Sequence, residues 1–272
     1  MSRRGFTVIE LIVALVLTGV VATAALRAFL AVRTTYQAVT DRLEQNAVLR
    51  DAAAVLPYEL RALGSGPGAA SQDLTAVSPT SVTYRAAANL FFACDVSPAP
   101  ARRLVLDGAR WYGVRSLDPA RDSVLVFAVD TTARPVRGTW VAADLLDLSG
   151  TLCPGGGAGV GITLSRAIGG VDVGTPLRGF QLTEMRLYRD RTGERWIGAR
   201  TAPKVGGWSA TQPILGPLAV DGLQVVAYDR GGAITRDPRN AVRLGATVTG
   251  RATGRSGAIG VVLQIAFRNS RR

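Results

Sequence analysis

The sequence predicts an α+β fold: one long N-terminal helix, its inner half suited to a bilayer, packed on a β-rich antiparallel C-terminal domain. Three observations predict it. From Phe6 to Leu26 the chain carries a single charge, Glu10, and the next is Arg27. No proline interrupts the stretch from Phe6 to Leu56. Beyond Gly64 the apolar residues change to a period of two, in short runs divided by turn residues.

The helix comes first. Residues 6–26 make about 21 residues, or roughly 31 Å of helix, which matches the hydrocarbon thickness of a bilayer. Arg3 and Arg4 precede this span, and basic bias near a span's end sets orientation, so the N-terminus is expected in the cytoplasm and everything after Arg27 outside. An ordinary secretory signal has a shorter apolar region followed by a small-residue cleavage site, a weaker description of this segment. Glu10 stands four residues into the span. A charge there costs between about 2.5 and more than 10 kcal/mol, so it requires a partner. Farther on, Phe29, Val32, Tyr36, Val39, Leu43 and Ala47 recur at spacings of three and four. The heptads fade too soon for a coiled coil, so this stripe is expected to pack on the chain's own domain. Pro57 is expected to kink the helix and Gly64 to end it in a left-handed turn.

Gly64 to Gly68 reads as a linker. Strands are expected at 81–85, 90–93, 103–106, 110–114, 124–129, 139–142, 161–164, 181–189, 195–199, 223–228, 242–249 and 261–267. Val242, Leu244, Ala246 and Val248 share one face, as do Val261, Leu263, Ile265 and Phe267, the pattern of half-buried antiparallel strands. Asp190 to Gly193 and Asp229 to Gly232 read as hairpin loops.

Composition bounds the chemistry. The 272 residues carry 32 basic and 20 acidic side chains, a net charge of +12, with no histidine. Lys204 is the one lysine among the basic residues. A basic surface can attract nucleic acid or anionic lipid, but the arginines are scattered (Arg61, Arg85, Arg115, Arg166, Arg200, Arg243) and not interleaved with aromatics, which argues against nucleic acid. Cys94 and Cys153 fall in the part expected outside the cytoplasm, where disulfides persist. Their pairing would close a loop of about 60 residues, worth roughly 4 kcal/mol in the chain-entropy model. Without histidine, two cysteines make neither the usual zinc site nor an activated thiol nucleophile. No phosphate loop or nucleophile elbow is present, so an enzyme is not expected, nor is a cofactor. Gly155 to Gly161 lacks the dinucleotide-binding pattern and reads as a loop. Asp130, Asp144 and Asp147 lack the spacing of a calcium loop. Trp111, Trp140, Trp196 and Trp208 read as core or sheet-face residues.

The run Gly5-Phe6-Thr7-Val8-Ile9-Glu10-Leu11 after a basic leader resembles the processing and methylation signal of type IV prepilins and of the pseudopilins of type II secretion. The resemblance implies a leader over 1–5 and cleavage by prepilin peptidase between Gly5 and Phe6. It also implies N-methylation of Phe6 and a salt bridge from Glu10 to the Phe6 amine of a neighbouring subunit. The expected division is then a pilin-like helix over 6–63, transmembrane at 6–26, and an extracytoplasmic domain over 64–272. Leu218 to Asp229, the glycine turn, Pro238 and the run Val242 to Val248 look like J-type minor pseudopilins or W-type minor pilins, as does Leu60-Arg61-Ala62-Leu63-Gly64. Many major pilins have a helix-breaking proline near 19–27, which this chain lacks. What the resemblance implies is a structural subunit near a filament tip, with the inner membrane, prepilin peptidase, other minor subunits and the major subunit as partners. The alternative is a membrane-anchored binding module, an adhesin or DNA-uptake component.

Overall fold

A computed structural model describes residues 7–64, 72–204, 206–252 and 257–268. Helix α1 (Val8–Arg61) runs unbroken for 54 residues, about 81 Å, with Pro57 inside it. The end differs from expectation. Ala62 closes the helix in a right-handed conformation with its N–H on the Leu60 carbonyl. Gly64 makes no left-handed turn, because the β domain caps it instead: its N–H donates to Asp73 Oδ2 at 2.7 Å and its carbonyl accepts from the Asp73 N–H at 3.1 Å. Of the expected linker Gly64 to Gly68, Gly64 forms a bridge with Arg268, and the rest lies outside the described residues.

Among the described residues twelve strands follow, all paired antiparallel: β1 (Leu74–Ser78), β2 (Ser81–Val96), β3 (Ala101–Gly113), β4 (Ser123–Asp130), β5 (Arg137–Leu152), β6 (Ala158–Ile168), β7 (Pro176–Arg189), β8 (Arg195–Ala202), β9 (Gln212–Tyr228), β10 (Ile234–Thr235), β11 (Arg243–Gly250) and β12 (Gly260–Ala266). Several expected short strands are pieces of longer ones. The runs 81–85 and 90–93 belong to β2, and 103–106 and all but the last residue of 110–114 to β3. Gly155 to Gly161 is only partly a loop, since β6 begins at Ala158. Gly161 fits there because an added Cβ would come within 2.7 Å of Ser149 Oγ.

The strands build two cores that share one ribbon. Strands β2 and β7 pair along nearly their whole length. At one end of this ribbon β8, β9, β11 and β12 extend a sheet that buries Val82, Tyr84, Met185, Ile197, Leu244 and Ile265 against Leu49, Ala52, Leu56 and Leu60 of α1. At the other end β2 pairs with β3, β3 with β6, β6 with β5, β5 with β4, and β4 with β7. These six strands therefore close into a barrel, filled by Phe91, Leu104, Leu106, Val126, Leu145, Ile162, Leu164 and Leu177. The ribbon changes partners at a bulge between Ala87 and Asn89, where the Asn89 Oδ1 accepts from Gly179 N–H at 3.0 Å.

Two polar ties cross between the cores. Arg178 on β7 reaches Asp73 at 3.3 Å and lies over Trp140 of the barrel at 5.6 Å. Lys204, after β8, donates to the carbonyls of Pro119 and Leu145. Its amine sits below the usual lysine range because burial disfavours the charge, although Asp144, Asp122 and Asp118 partly restore it. Cys94 on β2 is bonded to Cys153 at the β5 to β6 turn, with Cα atoms 5.7 Å apart.

The hydrogen bonds also set the height of each part along α1. Gln45 Nε2 donates to the Arg251 carbonyl, and Arg251 pairs with Glu194, which places the hairpin tips of β7 with β8 and β11 with β12 near Gln45. Strand β2 starts opposite Arg186 near that level and passes Asp73, beside the helix end, at Arg85. The barrel, carried on the later half of β2, therefore lies beyond the C-terminal end of α1.

Candidate functional site

The candidate site is the free part of α1, taken from its first residue upward. Gly5 and Phe6, the expected cleavage and methylation positions, lie outside the described residues. Thr7 is the N-cap. Its N–H and Oγ1 both donate to Glu10 Oε2, at 2.9 and 3.0 Å, while Glu10 N–H donates back to Thr7 Oγ1 at 3.3 Å. This reciprocal capping box satisfies donors that the helix itself leaves open. Sequence reading singled out Glu10 and passed over Thr7, although Thr-x-x-Glu before an apolar run is the signature of such a box.

From Val8 to Leu26 every residue is exposed. An 18-residue window in α1 has a mean hydropathy of 2.4, and none of it is buried within the chain. Its two internal threonines return their hydroxyls to the backbone: Thr18 to the Ala14 carbonyl and Thr23 to Gly19, both at 2.7 Å. No polar side chain between Leu11 and Leu26 then needs water, which is the condition for a helix in lipid.

Above the span the helix overturns one expectation. Phe29, Val32, Tyr36, Val39, Leu43 and Ala47 do not pack on the chain's own domain; Tyr36 is 73% exposed and Leu43 64%. The face that does pack carries Gln45, Leu49, Ala52, Leu56 and Leu60. At 100° per residue the two stripes point roughly 140° apart. The domain also reaches too short a distance down the helix: partial cover begins at Ala38 and full burial at Gln45. An apolar seam therefore stands free on a neck of about 27 Å between Arg27 and Gln45.

The other residues singled out from sequence do not converge on a site. Asp130 holds its own turn through Thr132 and Ala133, which keeps its carboxyl below the usual range. Asp144 accepts from Ser123 Oγ at 2.8 Å. Trp111 stacks on Phe91, Trp140 meets Phe127 edge-on, Trp196 donates to Asp190, and Trp208 lies under Arg200.

Residues 1–26 match the family model described as the prokaryotic N-terminal methylation motif. No curated protein and no solved structure matches the chain. The motif implies processing by prepilin peptidase and assembly with other pilins, and the apolar helix fits single-pass anchoring in the inner membrane. The family bearing it is structural, not enzymatic. A capped apolar helix uncovered from Val8 to Leu26, opening on this motif and joined to an antiparallel β domain, makes the chain a carrier of the prepilin-type signal of type IV pilins and pseudopilins.

Proposed function

We propose that the chain is a minor pilin or minor pseudopilin of the J or W type, incorporated near the tip of a type IV pilus or a type II secretion pseudopilus. In this reading the N-terminus starts in the cytoplasm, prepilin peptidase cuts between Gly5 and Phe6, and the new amine of Phe6 is methylated. Glu10 then pairs with the Phe6 amine of an adjacent subunit. A methylated amine keeps its charge, and a desolvated pair attracts more strongly than one in water. A carboxylate in the apolar span is otherwise costly, and that pairing supplies its missing partner.

The methylation motif at residues 1–26, on a helix whose apolar surface from Val8 to Leu26 is wholly exposed, carries the proposal. The bare seam on the neck supports it further, since helices rising side by side from one membrane would cover it. Mass spectrometry of filaments sheared from the host tests the reading: the expected form begins at methylated Phe6, and an intact Met1 terminus on assembled protein contradicts it. Glu10→Ala should still insert in the membrane while its incorporation into filaments falls.

A further inference from the structure

Strand β12 forms one edge of the sheet that packs on α1, and among the described residues only β11 pairs with it. Phe267 N–H donates to the Val242 carbonyl at 3.1 Å and Gly250 N–H to the Ile259 carbonyl at 2.9 Å, with an unbroken register between them. Antiparallel pairs alternate between bonded and non-bonded. Val261, Leu263 and Ile265 therefore turn their backbone groups to β11, and Gly260, Val262, Gln264 and Ala266 turn theirs to the open edge.

Folded proteins guard such edges with charge, proline, a bulge or shortness. Strand β1, at the other end of the sheet, has five residues, and Gln72 ahead of it is tied to the carbonyls of Pro238 and Ala241. Strand β12 has none of these guards. From Gly257 to Phe267 there is no charge and no proline, in a chain of net charge +12. The core is also unfinished here. Ile265 and Phe267 are buried, whereas Val261 and Leu263 on the same face are only half-buried, and Val262 on the other face is 67% exposed. An added strand would satisfy the edge and extend the cover over Val261 and Leu263 together.

We propose that β12 is a docking edge for one β-strand of an adjacent, different subunit of the filament. The direction of the strand selects this partner. It rises beside α1: Arg251, at the hairpin tip ahead of it, accepts from Gln45, and Arg268 just after it donates to the Leu63 carbonyl at 2.9 Å. Two copies joined at this edge by a two-fold axis would pair antiparallel and point their helices in opposite directions, which copies anchored in one membrane cannot do. Parallel copies in register about such an axis would set like backbone groups against each other. A different subunit is free of that symmetry, and any strand of its domain that descends toward the membrane can pair. Its residues on the helix-facing side should be apolar and uncharged, to continue the row of Val261 and Leu263.

This inference rests on the filament-subunit reading. The test uses the full chain in cells that assemble the filament. Val262→Pro removes an N–H that faces the open edge and leaves the bonds to β11 in place, while Val262→Thr keeps the N–H and the branched shape. Counted per membrane-inserted molecule, Val262→Pro should enter filaments at least about fivefold less than wild type, and Val262→Thr within about twofold. Separately, Gln264→p-benzoylphenylalanine is irradiated in the assembled filament. The adduct should join it to a strand segment of another prepilin-type subunit, identified by peptide mass spectrometry. An adduct with a second copy of this chain, or no adduct, overturns the inference whether or not the proline variant folds, and so does wild-type incorporation of Val262→Pro. Where filaments carry the wild-type chain with a methylated Phe6 terminus, such a result sinks the inference alone; if they never carry it, the filament reading falls as well.

Discussion

Replacing Asp73 by alanine should cost the fold about 3 kcal/mol or more. The Asp73 side chain is 2% exposed and that of Arg178 13%, so their 3.3 Å contact is a buried pair, unlike the surface pairs that contribute little. Removing one partner of a buried pair costs about 3 to 5 kcal/mol, because the other charge stays buried without compensation. Arg178 keeps the face of Trp140 at 5.6 Å, which favours the lower end of that range. The Gly64 N–H also loses its acceptor at 2.7 Å, and with it the cap that replaces a left-handed glycine turn. Asp73→Asn separates the two effects, since an amide oxygen can still accept from Gly64 but carries no charge. Urea unfolding of the full chain in detergent micelles measures both, with Asn expected between wild type and alanine. A loss below about 0.5 kcal/mol for Asp73→Ala, the range of ordinary surface substitutions, refutes the argument.

Tyr84 supplies a prediction in pH. Burial, assisted by the Glu59 carboxylate, pushes its phenol far above the usual tyrosine range. Above about pH 10 the unfolded chain therefore loses this proton while the folded chain keeps it, and stability falls as pH rises further. Tyr84→Phe should flatten this alkaline loss in chemical unfolding at pH 9 to 11, and an unchanged slope would refute the assignment. On the neck, Leu43→Arg places a charge on an exposed apolar seam. Its unfolding free energy should stay within about 0.5 kcal/mol of wild type, while its filament content, read by immunoblotting of sheared fractions, should fall. Normal filament content would show that nothing packs on the seam.

The sequence made some features legible and hid others for identifiable reasons. Clean alternation located β11 and β12, and the Asp190 and Asp229 turns stand where their aspartates suggested. Barrel closure left no such mark. Inward and outward residues alternate the same way in an open sheet and a closed one, and the pairing of β2 with β7 joins segments about a hundred residues apart. The first half of β9 was missed because Pro213, Gly216 and Pro217 argue against a strand. In α1 the stronger stripe misled. Phe29 to Leu43 outweighs the stripe that is buried, where Gln45 and Ala52 dilute the apolar signal although Gln45 is pinned to the Arg251 carbonyl. An apolar stripe shows that something covers it, not that the same chain does.

That distinction bears on where the chain would sit in the proposed filament. Its domain first buries α1 at Gln45, about 27 Å along the helix from Arg27, so the neck below leaves room for the domains of subunits whose helices dock on the seam. At the opposite end the barrel extends past the C-terminus of α1. A subunit of the same polarity stacking from above would meet the barrel first, held against the helix end through Asp73 and Arg178. The chain is therefore open to neighbours along its neck, below the domain. Under the proposed reading, the bare neck is where the subunits behind a tip position would dock.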